Sequence, residues 1–93
     1  MTQLLSDEDI SARLQTLDWT REGDEIVRER KFDDFAAAMA YVNRVAEAAE
    51  AANHHPDILV HGWNKVRLTL STHSEGGITA ADLALAEQID MLG

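Results

Sequence analysis

The 93-residue sequence contains no cysteine, which removes disulfides, thiolate zinc sites and thiol nucleophiles together. Such a chain suits a reducing compartment, and a cytoplasmic location is the expectation. No apolar run approaches the roughly 20 residues that a membrane-spanning helix needs. The opening residues, Met1 to Asp7, lack the basic start and apolar stretch of a secretory signal. No membrane association is therefore expected. Positive charge is also scarce, with 8 Lys and Arg against 17 Asp and Glu and a net charge of −9. An acidic surface opposes contact with phosphate backbones, so direct nucleic-acid binding is set aside and the charge is read as solubility.

What remains is one domain spanning 1–93, too short to divide. Its pattern reads helix, two strands, helix, two strands, helix. Ser6 and Asp9 have the spacing of a capping box, flanked by Leu5 and Ile10 as a hydrophobic staple, and the helix runs to about Leu14–Leu17. Trp19 to Arg21 and Glu25 to Phe32 read as strands joined across Glu22-Gly23-Asp24. Asp33 or Asp34 opens a long helix to about Asn53, with Phe35, Met39, Val42, Ala46 and Ala49 as its apolar stripe. Pro56 stops it and pushes His55 toward an extended conformation. Ile58 to His61 and Asn64 to Thr72 follow as strands, with Val66, Leu68 and Leu70 on one face of the second. After Glu75-Gly76-Gly77, Thr79 and Asp82 repeat the capping pattern, and Ile78 and Leu83 repeat the staple. The fold class is α+β, a four-stranded antiparallel sheet with helices on one face. The alanine-rich long helix and the strand edges lead us to expect self-association.

Chemistry concentrates between Glu50 and His73. Histidine exchanges protons near neutrality, and His54, His55, His61 and His73 fall within this stretch. His54 and His55 end the long helix and His73 ends the longest strand, so sheet packing can bring them together. Glu50 lies one turn before His54 and is read as its carboxylate partner. Each reading has a plainer rival. His54 and His55 also suit a helix C-terminus electrostatically, and His61 reads as structural or surface. Trp19 is assigned to the core, while Trp63 fits either packing or stacking on a flat ligand. Gly76-Gly77 is a turn, because the lysine and glycine spacing of a phosphate loop is absent. Three imidazoles with Glu50 or Asp57 would suffice for zinc or iron. Against this, adjacent extended side chains diverge, and the helical His-x-x-x-His spacing is missing. No metal is expected.

Glu50-Ala51-Ala52-Asn53-His54-His55-Pro56-Asp57, Asn64-Lys65-Val66 and Leu70-Ser71-Thr72-His73 together resemble the pterin-4a-carbinolamine dehydratases. Weaker similarity covers nearly the whole chain. The resemblance implies the same sheet-and-helix fold and a homodimer or homotetramer. It implies loss of water from 4a-hydroxytetrahydropterin to give quinonoid dihydropterin, in tetrahydropterin recycling, with no cofactor and no metal. On that reading His54, His55 and His73 are catalytic, and Glu50 and Trp63 contact the pterin substrate. Two departures stand out. One residue more than in animal members lies between Pro56 and Asn64, and Ala81 stands where some members carry arginine. A non-catalytic binding or assembly role on the same fold is the competing reading, opposed by the presence of all three histidines.

Overall fold

In the computed structural model, which describes residues 3–92, the first helix starts where the Ser6 side chain accepts the Asp9 amide at 3.1 Å. Asp7, Glu8 and Asp9 then occupy the positive end of the dipole of α1, Asp7–Leu14. Strands β1, Thr20–Glu22, and β2, Glu25–Lys31, pair so that Gly23 and Asp24 alone form the turn. Gly23 takes φ 62° at the first turn position, where a two-residue hairpin needs glycine. Helix α2, Phe35–Ala52, is capped by Asp34, whose carboxylate accepts the Ala37 amide. It ends at Asn53, which adopts the left-handed conformation at φ 51° and ψ 41°. Strands β3, Asp57–His61, and β4, Lys65–Leu70, and helix α3, Ala80–Asp90, complete the chain.

The four strands form one antiparallel sheet in the order β1-β2-β4-β3. Ile26, Val66, Leu68 and Leu70 meet Ile10 of α1, Tyr41 and Val45 of α2, and Leu83, Ala86 and Ile89 of α3 in one buried cluster. The helices therefore cover one face, as the sequence pattern predicts, and the opposite face carries mostly polar alternates, with Val27 and Leu59 among them.

The long helix differs from expectation in its orientation. Its buried residues are Ala38, Tyr41, Val45 and Ala49, whereas Phe35 is 54% exposed. Tyr41 decides the rotation. Its ring packs on Phe32 with centroids 5.0 Å apart, and Arg30 lies over both rings at 4.9 Å. Burying one large tyrosine against these partners turns the Phe35–Met39–Val42 stripe to the flank.

One carboxylate ties the two ends of the chain. Asp90, in the last turn of α3, accepts from Trp19 Nε1 at 2.9 Å and the Asp18 amide at 3.1 Å. It also pairs with Arg28. An acid at a helix C-terminus opposes the dipole, so these donors and the guanidinium outweigh that cost. Because Asp90 and Arg28 are both largely buried, we predict that Asp90→Ala lowers unfolding free energy by about 2–4 kcal/mol. Urea denaturation followed by far-UV circular dichroism measures it. An unchanged midpoint would contradict this role for the carboxylate.

Candidate active site

The left-handed turn at Asn53 directs the chain out of α2, while the His54 amide still donates to Ala49 O at 3.1 Å. His54 and His55 thus leave a fixed helix end, and Pro56 leads directly into β3. The first pair of the β3–β4 ladder, Asp57 with Thr69, sets this segment beside the end of β4. Beyond β4, the Thr72 amide donates to Gly77 O at 2.8 Å, and the Gly76 amide to Thr72 O at 2.9 Å. Gly76 takes φ 72°. The positive φ at Gly76 is the conformation that favours glycine in this return. The loop carries His73 at its start and brings Thr79 back beside Thr72.

The centre of this region is Asp82, fully buried at 0% exposure. As the third residue of α3 it completes the capping box with Thr79, its Oδ2 accepting the Thr79 amide at 2.9 Å. Oδ2 also accepts the Thr72 hydroxyl at 2.8 Å. Thr72 and Thr79 hydroxyl oxygens are 2.7 Å apart. Since Thr72 has one proton and gives it to Asp82, Thr79 donates to Thr72. The remaining oxygen, Oδ1, lies 2.5 Å from His54 Nε2. With Oδ2 accepting two donors, Oδ1 is left to accept the Nε2–H. The neutral ring then keeps Nδ1 as its proton acceptor.

His54 is mostly buried, with 16% of its side chain exposed. His55 pairs with Glu50 at the surface, where the two side chains are 57% and 76% exposed. Glu50 therefore serves His55 and not His54. The sequence reading assumed an unbroken helical repeat, and Asn53 breaks it one residue before His54. His73 is exposed on the loop that follows β4. Glu50, His54, His55 and His73 consequently share one end of the sheet.

Trp63 does not join them within the chain. It occupies the β3–β4 turn at the other end of the ladder, 62% exposed and at φ 57°. His61 lies beside that turn and contacts Glu29 Oε1 at 3.0 Å, apart from the other three. Ala81 immediately precedes Asp82 in the first turn of α3 and supplies no charge. Among the described residues no group of three or more His, Cys, Asp and Glu is placed to hold a metal ion, and no helix is long and apolar enough to cross a membrane.

Asp82, Thr72 and Thr79 are the residues that sequence reasoning missed as parts of the site. Thr79 and Asp82 were legible as a helix start. The signal left unused was that a capping carboxylate needs only one oxygen for its cap.

Comparison with known proteins gives the arrangement a context. Residues 3–92 match the family model described as pterin 4 alpha carbinolamine dehydratase. A Nocardia farcinica protein named as an inferred pterin-4-alpha-carbinolamine dehydratase is 60% identical over 92 residues, covering 98% of this chain and 96% of its own. A similarly named Cyanothece protein is 50% identical over 93 residues, covering 99% and 95%. The crystal structure of a transcriptional coactivator/pterin dehydratase from Brucella melitensis superposes with a TM-score of 0.88 at 32% identity, covering 95% and 96%. A pterin dehydratase-like protein identified as a RuBisCO assembly factor in the alpha-carboxysome shares the fold, at a TM-score of 0.65 and 21% identity over 86% and 92% of the chains.

The hydroxyl chain has a measurable consequence. Thr72→Val removes a donor from buried Asp82 and the acceptor of the Thr79 hydroxyl, at an expected cost of about 1–3 kcal/mol. Urea unfolding of the variant tests this, and wild-type stability would mean that the two threonines do not support Asp82.

Proposed function

Because the chain belongs to the pterin-4a-carbinolamine dehydratase family, we propose that it dehydrates 4a-hydroxytetrahydropterins, with His54 as the central acid–base group. The observation that carries this reading is the His54 Nε2 contact with buried Asp82. A carboxylate behind an imidazole holds one tautomer and stabilises the imidazolium that forms when the free nitrogen takes a proton.

The reaction needs a proton removed from N5, a C4a=N5 double bond formed and the C4a–O bond broken. The departing hydroxyl takes up a proton and leaves as water, so the protons balance. His54 Nδ1 suits the acceptor role. A second imidazole nearby supplies or relays the proton to the hydroxyl, and His73 and His55 are the groups at the same end of the sheet. The two carboxylate–imidazole pairs differ in setting, one enclosed and one solvated. Glu50 acts through His55 or on the pterin itself. Tetrahydrobiopterin is the pterin we would supply first, and a homodimer or homotetramer in the cytoplasm is the setting we propose. No organic cofactor or metal has a step in this scheme.

Decay of freshly generated 4a-carbinolamine, followed by ultraviolet absorbance, tests the proposal. Wild-type protein accelerates it, and His54→Ala and His73→Ala each reduce kcat/KM by about 10²- to 10⁴-fold. Asp82→Asn, which cannot present a carboxylate to Nε2, lowers kcat by less than His54→Ala does. Circular dichroism confirms that each variant is folded. No acceleration by the wild-type protein, or full rates in both histidine variants, would sink the catalytic reading in favour of a binding role on this fold.

A further inference from the structure

The sequence contains two lysines, Lys31 and Lys65, and the sheet sets them directly opposite one another. Lys31 of β2 pairs with Lys65 of β4, and Lys65 pairs on its other side with His61 of β3. Strand alternation puts all three on the face away from the helices, in a row across three strands. Like charges placed opposite each other destabilise a sheet. Among the described residues neither lysine has an acidic partner, whereas Arg13, Arg21, Arg28 and Arg67 all do. In a chain with 17 acidic residues, two facing lysines without counter-ions are an unrelieved local cost.

Three further features mark the same place. A cavity of about 400 Å³ is lined by Glu29, Arg30, Lys31, His61 and Lys65, a volume within the range of small-molecule sites. Its one carboxylate, Glu29, is already engaged by His61 at 3.0 Å and by Arg67 at 3.6 Å. Beneath the sheet, Arg30 is stacked on Phe32 and Tyr41, and its Nη1 is buried without a hydrogen-bond partner. The cavity therefore carries net positive charge on an otherwise acidic molecule.

The turn beside it is hydrogen-bonded to β2 and holds two residues at positive φ. Phe32 N donates to Asn64 O at 2.8 Å, and Asn64 Nδ2 donates to Phe32 O at 2.9 Å. Gly62 and Trp63 both hold positive φ, a backbone state that costs a bulky tryptophan and is tolerated chiefly where structure or function demands it. Lys65 runs alongside Gly62, within 3.6–3.8 Å of where a Cβ would sit.

We propose that this end of the outer sheet face is a binding site for a small molecule bearing a di- or polyphosphate group, held by Lys31 and Lys65. Lysine ammoniums are point-charge partners for phosphoryl oxygens. Two of them facing each other match an anion of more than one charge. The cavity leaves room for an organic body beside the phosphates. This site is distinct from the His54–Asp82 region. It lies on the opposite face of the sheet and about 13 Å along β3, and it does not depend on the dehydratase reading.

Two-dimensional NMR of the full chain, titrated with inorganic pyrophosphate and separately with a nucleoside diphosphate at constant ionic strength, tests the proposal. Saturable shifts confined to the amides of Lys31, His61, Gly62 and Lys65, accompanied by Trp63 fluorescence changes, are expected. Lys65→Gln and Lys31→Gln each weaken binding by about tenfold or more. Both variants keep the wild-type rate of carbinolamine dehydration, and neither unfolds at a lower urea concentration without ligand. Tighter binding of the diphosphate ester than of pyrophosphate identifies an organic phosphate as the natural class; equal affinity identifies the free anion. Absence of saturation, shifts spread over all basic residues, equal binding by Lys65→Gln, or saturation by an acidic peptide but neither phosphate would overturn the proposal.

Discussion

A single buried carboxylate, that of Asp82, joins the folding of this protein to its chemistry. Enclosing a charged carboxylate in a protein interior costs several kcal/mol unless its oxygens find donors. Here the Thr79 amide and the Thr72 hydroxyl serve Oδ2, and His54 serves Oδ1. Losing any donor leaves charge uncompensated in a low-dielectric setting, so the group is restrictive as well as stabilising. It requires α3 to start at Thr79, the loop after β4 to return Thr79 to Thr72, and α2 to end at Asn53. Three separate elements are positioned by one side chain.

That restriction suits an acid–base group. An imidazole free to rotate and exchange tautomers presents either nitrogen to a substrate, whereas one held by a carboxylate presents a defined acceptor. The rest of the scaffold contributes placement. Arg28, Trp19 and Asp90 lock the far end of α3 to the sheet, while the turn at Gly76, with its positive φ, brings His73 to the same end as the helix terminus. Family membership gives this geometry a pterin substrate class, and in the proposed function the held imidazole is the group that takes the proton.

The elements and their order were legible from local rules, because caps, turn residues and strand alternation act over a few positions. Ser6, Asp34, Thr79, Gly23 and Pro56 all mark boundaries that the structure has. Long-range pairing was not legible in the same way. The rotation of α2 depends on Tyr41 finding Phe32 and Arg30, and a helical wheel favours Phe35 because it sees only spacing. Glu50 was paired with His54 by an i, i+4 rule that holds inside a helix and fails once Asn53 turns left-handed. The opposition of Lys31 and Lys65 follows from strand register, which residues 34 positions apart cannot reveal by themselves. The histidines at the helix end and the strand end stood out from spacing alone, and a family resemblance set His61 apart from them; the carboxylate behind His54 was visible only as a helix cap.

The tautomer of His54 is the most direct measure of whether Asp82 has the role assigned to it. Long-range ¹H–¹⁵N correlation spectra of the wild-type protein, recorded where the ring is neutral, report which nitrogen carries the proton. The account predicts a single Nε2–H tautomer for His54, with a slowly exchanging Nε2 proton. A proton on Nδ1, or rapid averaging between the two forms, would contradict it.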